Sequence, residues 1–225
     1  MPRRPQEQLP RTRCVIPAGF SVFHPAYLPP SLRRQIRSRF DRRGIFLNIP
    51  YASRYSKLEI AIISTATAYG LNPVMAKQRI RFDVRFVRIL EMIATCPFGF
   101  TDLSYPERMN MPLELGLMLA LGKNSFIASK GRYSAHASIS DLNLGDIRYH
   151  QGRPRDLIGD FSRWIEANCS HTRITMKELL ERYEAFMGLR RYLGVEEFDR
   201  LSPQQISEVL HSARRRLKLR VVGRR

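Results

Sequence analysis

Apolar positions in the middle of this 225-residue chain alternate between short continuous runs and helical stripes. GIFLNIP (44–50) is a short apolar run closed by Pro50, the pattern of a strand buried on both faces. SRYSKLEIAIISTATAYG (53–70) puts Leu58, Ile62, Thr65 and Tyr69 on one helical face, and Gly70 supplies a stop. LNPVMA (71–76) predicts a second strand, weakened by Pro73. RFDVRFVRILEMIAT (81–95) predicts the best amphipathic helix of the chain, with Phe82, Phe86, Ile89 or Leu90, and Ile93 inward and Arg81, Arg85, Arg88 and Glu91 outward. PFGFTDLS (97–104) predicts a strand ending in Asp102 and Ser104. MNMPLELGLMLALG (109–122) then predicts a helix stopped by Gly122, and NSFIAS (124–129) a fourth strand.

This order of alternating strands and helices, with short connections, predicts an α/β fold. Its parallel sheet is covered by helices on both faces. In such open sheets ligands bind outside the carboxyl ends of the strands. The residues predicted on that rim are Asn48 and Tyr51 after the first strand, Asp102 and Ser104 after the third, and the helix start near Asn110. Residues 133–150 read as loop, with a weak apolar pattern. Residues 154–169, with Leu157, Phe161, Trp164 and Ile165 inward, predict a helix, as do 175–194 and 202–220. In the last of these Ser202 suits the N-cap and Pro203 the first helical position. At the other end, residues 1–30 read as a Pro- and Arg-rich extended arm, and 31–43 as a basic helix. The expected organisation is a basic N-terminal arm (1–43), a parallel α/β domain (44–152) and C-terminal helices with a basic tail (153–225).

Charge changes the picture only at the ends. The chain carries a net +18, but residues 1–43 hold ten Arg against two acids, and residues 212–225 hold six Arg, one Lys and no acid. Basic ends of this kind suit polyanions, nucleic acid among them. Cys14, Cys96 and Cys169 are widely spaced, which predicts reduced structural thiols rather than a disulfide framework or a zinc site. No apolar run is long enough for a transmembrane segment, and no secretory signal opens the chain, so the expected location is cytoplasmic. No GxxxxGK[ST], GxGxxG or GxSxG is present, which disfavours a P-loop ATPase, a dinucleotide-binding fingerprint and an α/β-hydrolase. No cofactor or metal is expected.

The chemistry-bearing stretch is Cys96 to Gly122, CPFGFTDLSYPERMNMPLELGLMLALG. Asp102 ends a buried strand and Glu114 lies one turn into the next helix, so the topology puts both carboxylates at one rim. A helix start favours an ionised carboxylate. Near a sugar ring such a group can stabilise an oxocarbenium-like transition state or attack the anomeric carbon, while a second acid positions or protonates the leaving group. On residue types alone Glu114 is also simply a first-turn acid of the capping-box kind.

The run TDLS…NMPLELGLMLALGK, with IFLNIPY in the first strand, resembles the nucleoside 2-deoxyribosyltransferase-like family and, more loosely, bacterial Toll/interleukin-1 receptor-like domains. The resemblance covers about residues 44–130. It implies a flavodoxin-like sheet and chemistry at an N-glycosidic bond of a nucleoside, nucleotide or NAD-like small molecule. In that reading Glu114 is the nucleophile or cation-stabilising carboxylate, Asp102 orients the sugar or its leaving base, and Asn110 is a ligand to ribose hydroxyls. The chain departs from the family at Phe46, where a Tyr is usual, and at Met109–Pro112, which replaces a glycine-rich lead into the helix.

Weaker candidates are Asp141, Asp146 and His150, whose spacing matches no standard metal site and which read as turn-capping and solvated loop residues. His24, His136, His171 and His211 stand alone. Three functions therefore remain in view. One is an enzyme acting on an N-glycosidic bond. The second is a non-catalytic nucleotide sensor of the same fold, defence-related in one version. The third is a nucleic-acid-binding protein working through its basic ends. Whether the chain forms a homo-oligomer stays open.

Overall fold

The structure, a computed structural model, describes residues 30–76, 85–105, 110–131, 147–170 and 172–222; the side chains of Leu32, Arg85 and residues 213–222 are not part of that description. Among these residues the order is α1 (Pro30–Arg39), β1 (Gly44–Asn48), a 3-10 turn (Ser53–Tyr55), α2 (Ser56–Ala68), β2 (Asn72–Met75), α3 (Arg85–Thr95), β3 (Phe98–Asp102), α4 (Asn110–Ala120), β4 (Asn124–Ser129) and β5 (Ile147–Tyr149). Then come α5 (Pro154–Asn168), α6 (Met176–Leu193), α7 (Val195–Arg200) and α8 (Pro203–Val222). The expected arm before residue 30, Arg81, Phe82, Met109, Cys14, Asp141 and Asp146 fall outside the described residues.

The strands form one parallel sheet in the order β2-β1-β3-β4-β5. This is the flavodoxin-like order, and it reverses direction between β1 and β3. Pro73 is tolerated because β2 is the edge strand, so the missing N–H costs no second ladder. The two-residue alternation of the strands divides the core. Ile45, Leu47, Phe98, Phe100, Phe126 and Ala128 face α2 and α5, whereas Phe46 and Ile127 face Ile93 of α3 and Leu115 and Met118 of α4. On the first face Trp164 of α5 meets Phe98, Phe126 and Phe161 edge-on or stacked, with centroids 5.9–6.4 Å apart.

Three features differ from the pattern-based expectation. Residues 147–149 form a fifth strand where loop was expected, pairing with β4 from Ile127–Ile147 to Ser129–Tyr149. In α3 the inward stripe is rotated: Phe86 is 57% exposed and Glu91 only 4%. The cause is α1, which lies against α3 and supplies Arg39 Nη1 to Glu91 at 2.8 Å; Arg88 Nη1 pairs with the same carboxylate at 2.5 Å. Finally, α2 is buried beyond one stripe. Ile60, Ala61, Ile63, Ser64 and Ala66 are buried along with Leu58, Ile62 and Thr65, because α5, α6 and α8 pack around the helix.

Cys96 is buried in the core on the α3 and α4 side and Cys169 is half-buried, and no disulfide joins them. Burial pushes the Cys96 thiol up to about 12, so it is protonated and inert at neutral pH.

Candidate functional site

The carboxyl ends of β1, β3, β4 and β5 converge on Asp102, the last residue of β3, which is 0% exposed. Asp102 Oδ2 accepts from Tyr55 Oη at 2.5 Å and from His150 Nε2 at 2.9 Å. Asp102 Oδ1 accepts the backbone N–H of Ser104 at 2.8 Å and the Ser104 hydroxyl. A carboxylate offers about four lone-pair sites, so the protein itself fills them. The network extends outward: the N–H of Lys130 donates to Ser104 Oγ at 2.8 Å, and the N–H of His150 donates to the Ser129 carbonyl at 3.1 Å. Segments after three strands are thus tied to one carboxylate, and the 3-10 turn after β1 joins them through Tyr55.

The protonation pattern follows from the donors. The backbone N–H of Gly152 points at His150 Nδ1 at 3.0 Å, and an N–H can only donate. Nδ1 therefore accepts, and the ring proton sits on Nε2, where it is given to Asp102. The local chain is bent to allow this: Gln151 has φ 51° and Gly152 φ 74°, a left-handed pair that turns the backbone under the imidazole. Burial, the strongest single influence on Asp102, pushes its carboxyl up. The hydrogen bond and the electrostatic pull of His150, with the hydrogen bonds from Ser104 and Tyr55, outweigh it and hold the group below the usual carboxylate range. Tyr55 moves the other way, raised by burial first and then by the Asp102 charge, so its phenol stays a donor.

Asn48 sets the position of α4. Its Nδ2 donates to the Met111 carbonyl at 2.8 Å and, at 3.4 Å, to Thr101 Oγ1 of β3. One amide therefore links the ends of β1 and β3 to the first turn of α4. Glu114, one turn further on, is only 7% exposed, and Asn110 Nδ2 donates to its Oε1 at 3.4 Å. Gly99 brings α4 close to the sheet: a Cβ there would lie 2.4 Å from Met118 Sδ. Tyr51 is half-buried against the core of the α2 face. Tyr105, on the segment after β3, stacks edge-on to Tyr55 with centroids 6.2 Å apart and lies under the Arg54 guanidinium at 4.3 Å.

The structure thus gathers Asn48, Asp102 and Ser104 at the carboxyl edge, with the α4 start bearing Asn110 and Glu114 hydrogen-bonded to it. Of two further members, the sequence offers His150 only as a weaker candidate and Tyr55 not at all. His150 was read as a solvated loop residue and is instead 1% exposed and bonded to Asp102, because β5 delivers it to the edge. Tyr55 carries no motif and is one residue before α2. The signal that could have found His150 is the Ile-Arg-Tyr alternation preceding it, too short to read as a strand alone. No cluster of three metal-ligating side chains occurs among the described residues. Comparison with protein-family models, with curated proteins and with solved structures finds no match.

Proposed function

We propose that this chain binds a nucleoside, nucleotide or NAD-like molecule at the carboxyl edge of its sheet and acts on the N-glycosidic bond, with Glu114 as the reacting carboxylate. The observation that carries the reading is Glu114 itself. It is an acid nearly removed from solvent, one turn into a helix whose start is anchored by Asn48 to the ends of the two strands at the switch point. Sheets of this order bind ligands at that place. The DLS…NMPLELG run supports the same class of chemistry by its resemblance to the nucleoside 2-deoxyribosyltransferase-like family.

In the reaction, a Glu114 oxygen bonds to the anomeric carbon as the bond to the base nitrogen breaks, and the base leaves with that electron pair and takes up a proton from solvent. Water, or a second base, then displaces Glu114 from the anomeric carbon and gives up a proton. Asn110 holds Glu114 and meets ribose hydroxyls. Tyr51 and Ser104 border the ligand. Asp102, ionised and filled by donors, serves by fixing Ser104 and the segments around it; a carboxyl held below its usual range is a poor proton donor at neutral pH.

The test is release of free base from a panel of nucleosides, nucleotides and NAD. Release from at least one substrate is expected, and Glu114→Gln should lower it by roughly three orders of magnitude, the scale of removing a catalytic group. Full turnover by Glu114→Gln would reject Glu114. Ligand-dependent thermal stabilisation with no base released would replace the enzyme by a sensor using the same edge.

A further inference from the structure

We infer that α1 and the neighbouring junction of α7 and α8 form a surface that binds the phosphate backbone of nucleic acid, independently of the chemistry at Glu114. Residues 33–43 contain six arginines and a single acid, Asp41. That acid is used internally: its Oδ1 accepts the N–H of Arg43 at 2.8 Å and its Oδ2 accepts Asn72 Nδ2 at 2.7 Å. Arg34, Arg37, Arg42 and Arg43 are exposed, and none pairs with a carboxylate among the described residues. Arg34 and Arg37 are one helical turn apart and share a face.

The positive surface does not stop at α1. Arg39, Arg88 and Arg200 line one groove together with Glu91, Asp199, Ser202 and Gln204. Glu91 bridges two of the arginines, which holds their guanidinium groups in place, and with Asp199 also in the lining the groove keeps one cation in excess. Guanidinium groups grip phosphate oxygens as rigid forks. Lipid headgroups fit less well. Among the described side chains of α1 the exposed ones are Pro30, Ser31, Arg34, Arg37, Ser38 and Arg39, and Phe40, just past its end, is 37% exposed, so these side chains offer a bilayer little apolar surface. Contacts to phosphate oxygens position a duplex without reading its bases, so this binding is insensitive to sequence.

The experiment is fluorescence anisotropy of the full chain with a labelled 20-base-pair duplex of arbitrary sequence, titrated between 50 and 200 mM salt. With about four phosphates neutralised, affinity should fall roughly 100-fold over that range. Replacing Arg34, Arg37, Arg42 and Arg43 together by Ala should weaken binding at least about tenfold and flatten the salt slope by about 3 to 4. Removing four equally exposed cations elsewhere (Arg155, Arg173, Lys177 and Arg191) is the charge-matched control and should change affinity by less than threefold. Equal losses in both variants would show a response to net charge alone and overturn the surface. So would no binding by the wild type, or binding to phosphatidylserine vesicles as tight as to the duplex and equally dependent on the four arginines. If the fourfold variant melts below the wild type, Arg34→Ala/Arg37→Ala takes its place and should remove about half of the change in slope. Glu114→Gln should bind the duplex as the wild type does, whatever the base-release assay returns.

Discussion

At the scale of single residues, Asp102 is the group on which the carboxyl edge depends, and its energetics can be argued from its donors. Asn in its place offers one acceptor oxygen and turns an N–H2 toward groups that already donate, so Asp102→Asn should cost about 2–4 kcal/mol. Tyr55→Phe keeps the shape and deletes one donor, so about 1–2 kcal/mol is expected. The pH dependence has a definite sign. The Asp102 carboxyl is lowered in the folded protein, so its contribution is fully present above the unfolded value of about 3.9 and is lost as pH falls through the lower folded value. In urea denaturation the gap between wild type and Asp102→Asn should be flat from about pH 8 to pH 5 and narrow below about pH 4. A gap that widens on acidification would contradict the assignment of Asp102 as the ionised acceptor.

At the scale of elements, the site depends on how closely α4 lies on β3, and Gly99 is the test. A Cβ there would meet Met118 Sδ at 2.4 Å and Ser125 Oγ at 2.7 Å, and Met118 is fully buried, so it has little room to yield. Gly99→Val should destabilise by roughly 1–3 kcal/mol through overpacking. It should also reduce base release through displacement of Glu114, measurable as a fall in kcat beyond the loss of folded protein. An unchanged melting temperature would show that α4 does not need this contact. The same contacts explain what was readable in the sequence. The four strands 44–50, 71–76, 97–104 and 124–129 were visible because each is an apolar run bounded by Pro, Gly or polar residues, and Asp102, Ser104 and Asn48 were visible as polar groups at their ends. β5 was not, because three residues carry no period and their strand character comes from pairing with β4. The stripe of α3 was misjudged because the side facing α1 is a salt bridge rather than an apolar contact. The roles of Tyr55 and His150 in the network are hidden for a related reason. Their roles come from a partner 47 and 48 residues away in the chain, a relation that local pattern does not contain.

At the scale of the whole molecule, the C-terminal helices share a core with the sheet. Leu179, Tyr183 and Phe186 of α6, Phe198 of α7 and Ile206 of α8 belong to the same buried cluster as Ile45, Leu47, Phe100 and Ile62. The link reaches the site through α2. That helix lies between the sheet and α6, and the residue before its first turn is Tyr55, which donates to Asp102. Loosening α6 should therefore lower the stability of the sheet face instead of freeing a separate unit. Phe186 is fully buried, so Phe186→Ala should cost about 3–5 kcal/mol. Trp164, the single tryptophan, lies on α5 against Phe98 and Phe126 and reports on that face. Its fluorescence should shift with the far-UV signal in one coincident transition, at a lower denaturant midpoint than the wild type. If the Trp164 transition stayed at the wild-type midpoint while helical signal was lost earlier, the C-terminal helices would be a separable module. The path from α6 through α2 to Tyr55 would then carry no coupling to the carboxyl edge.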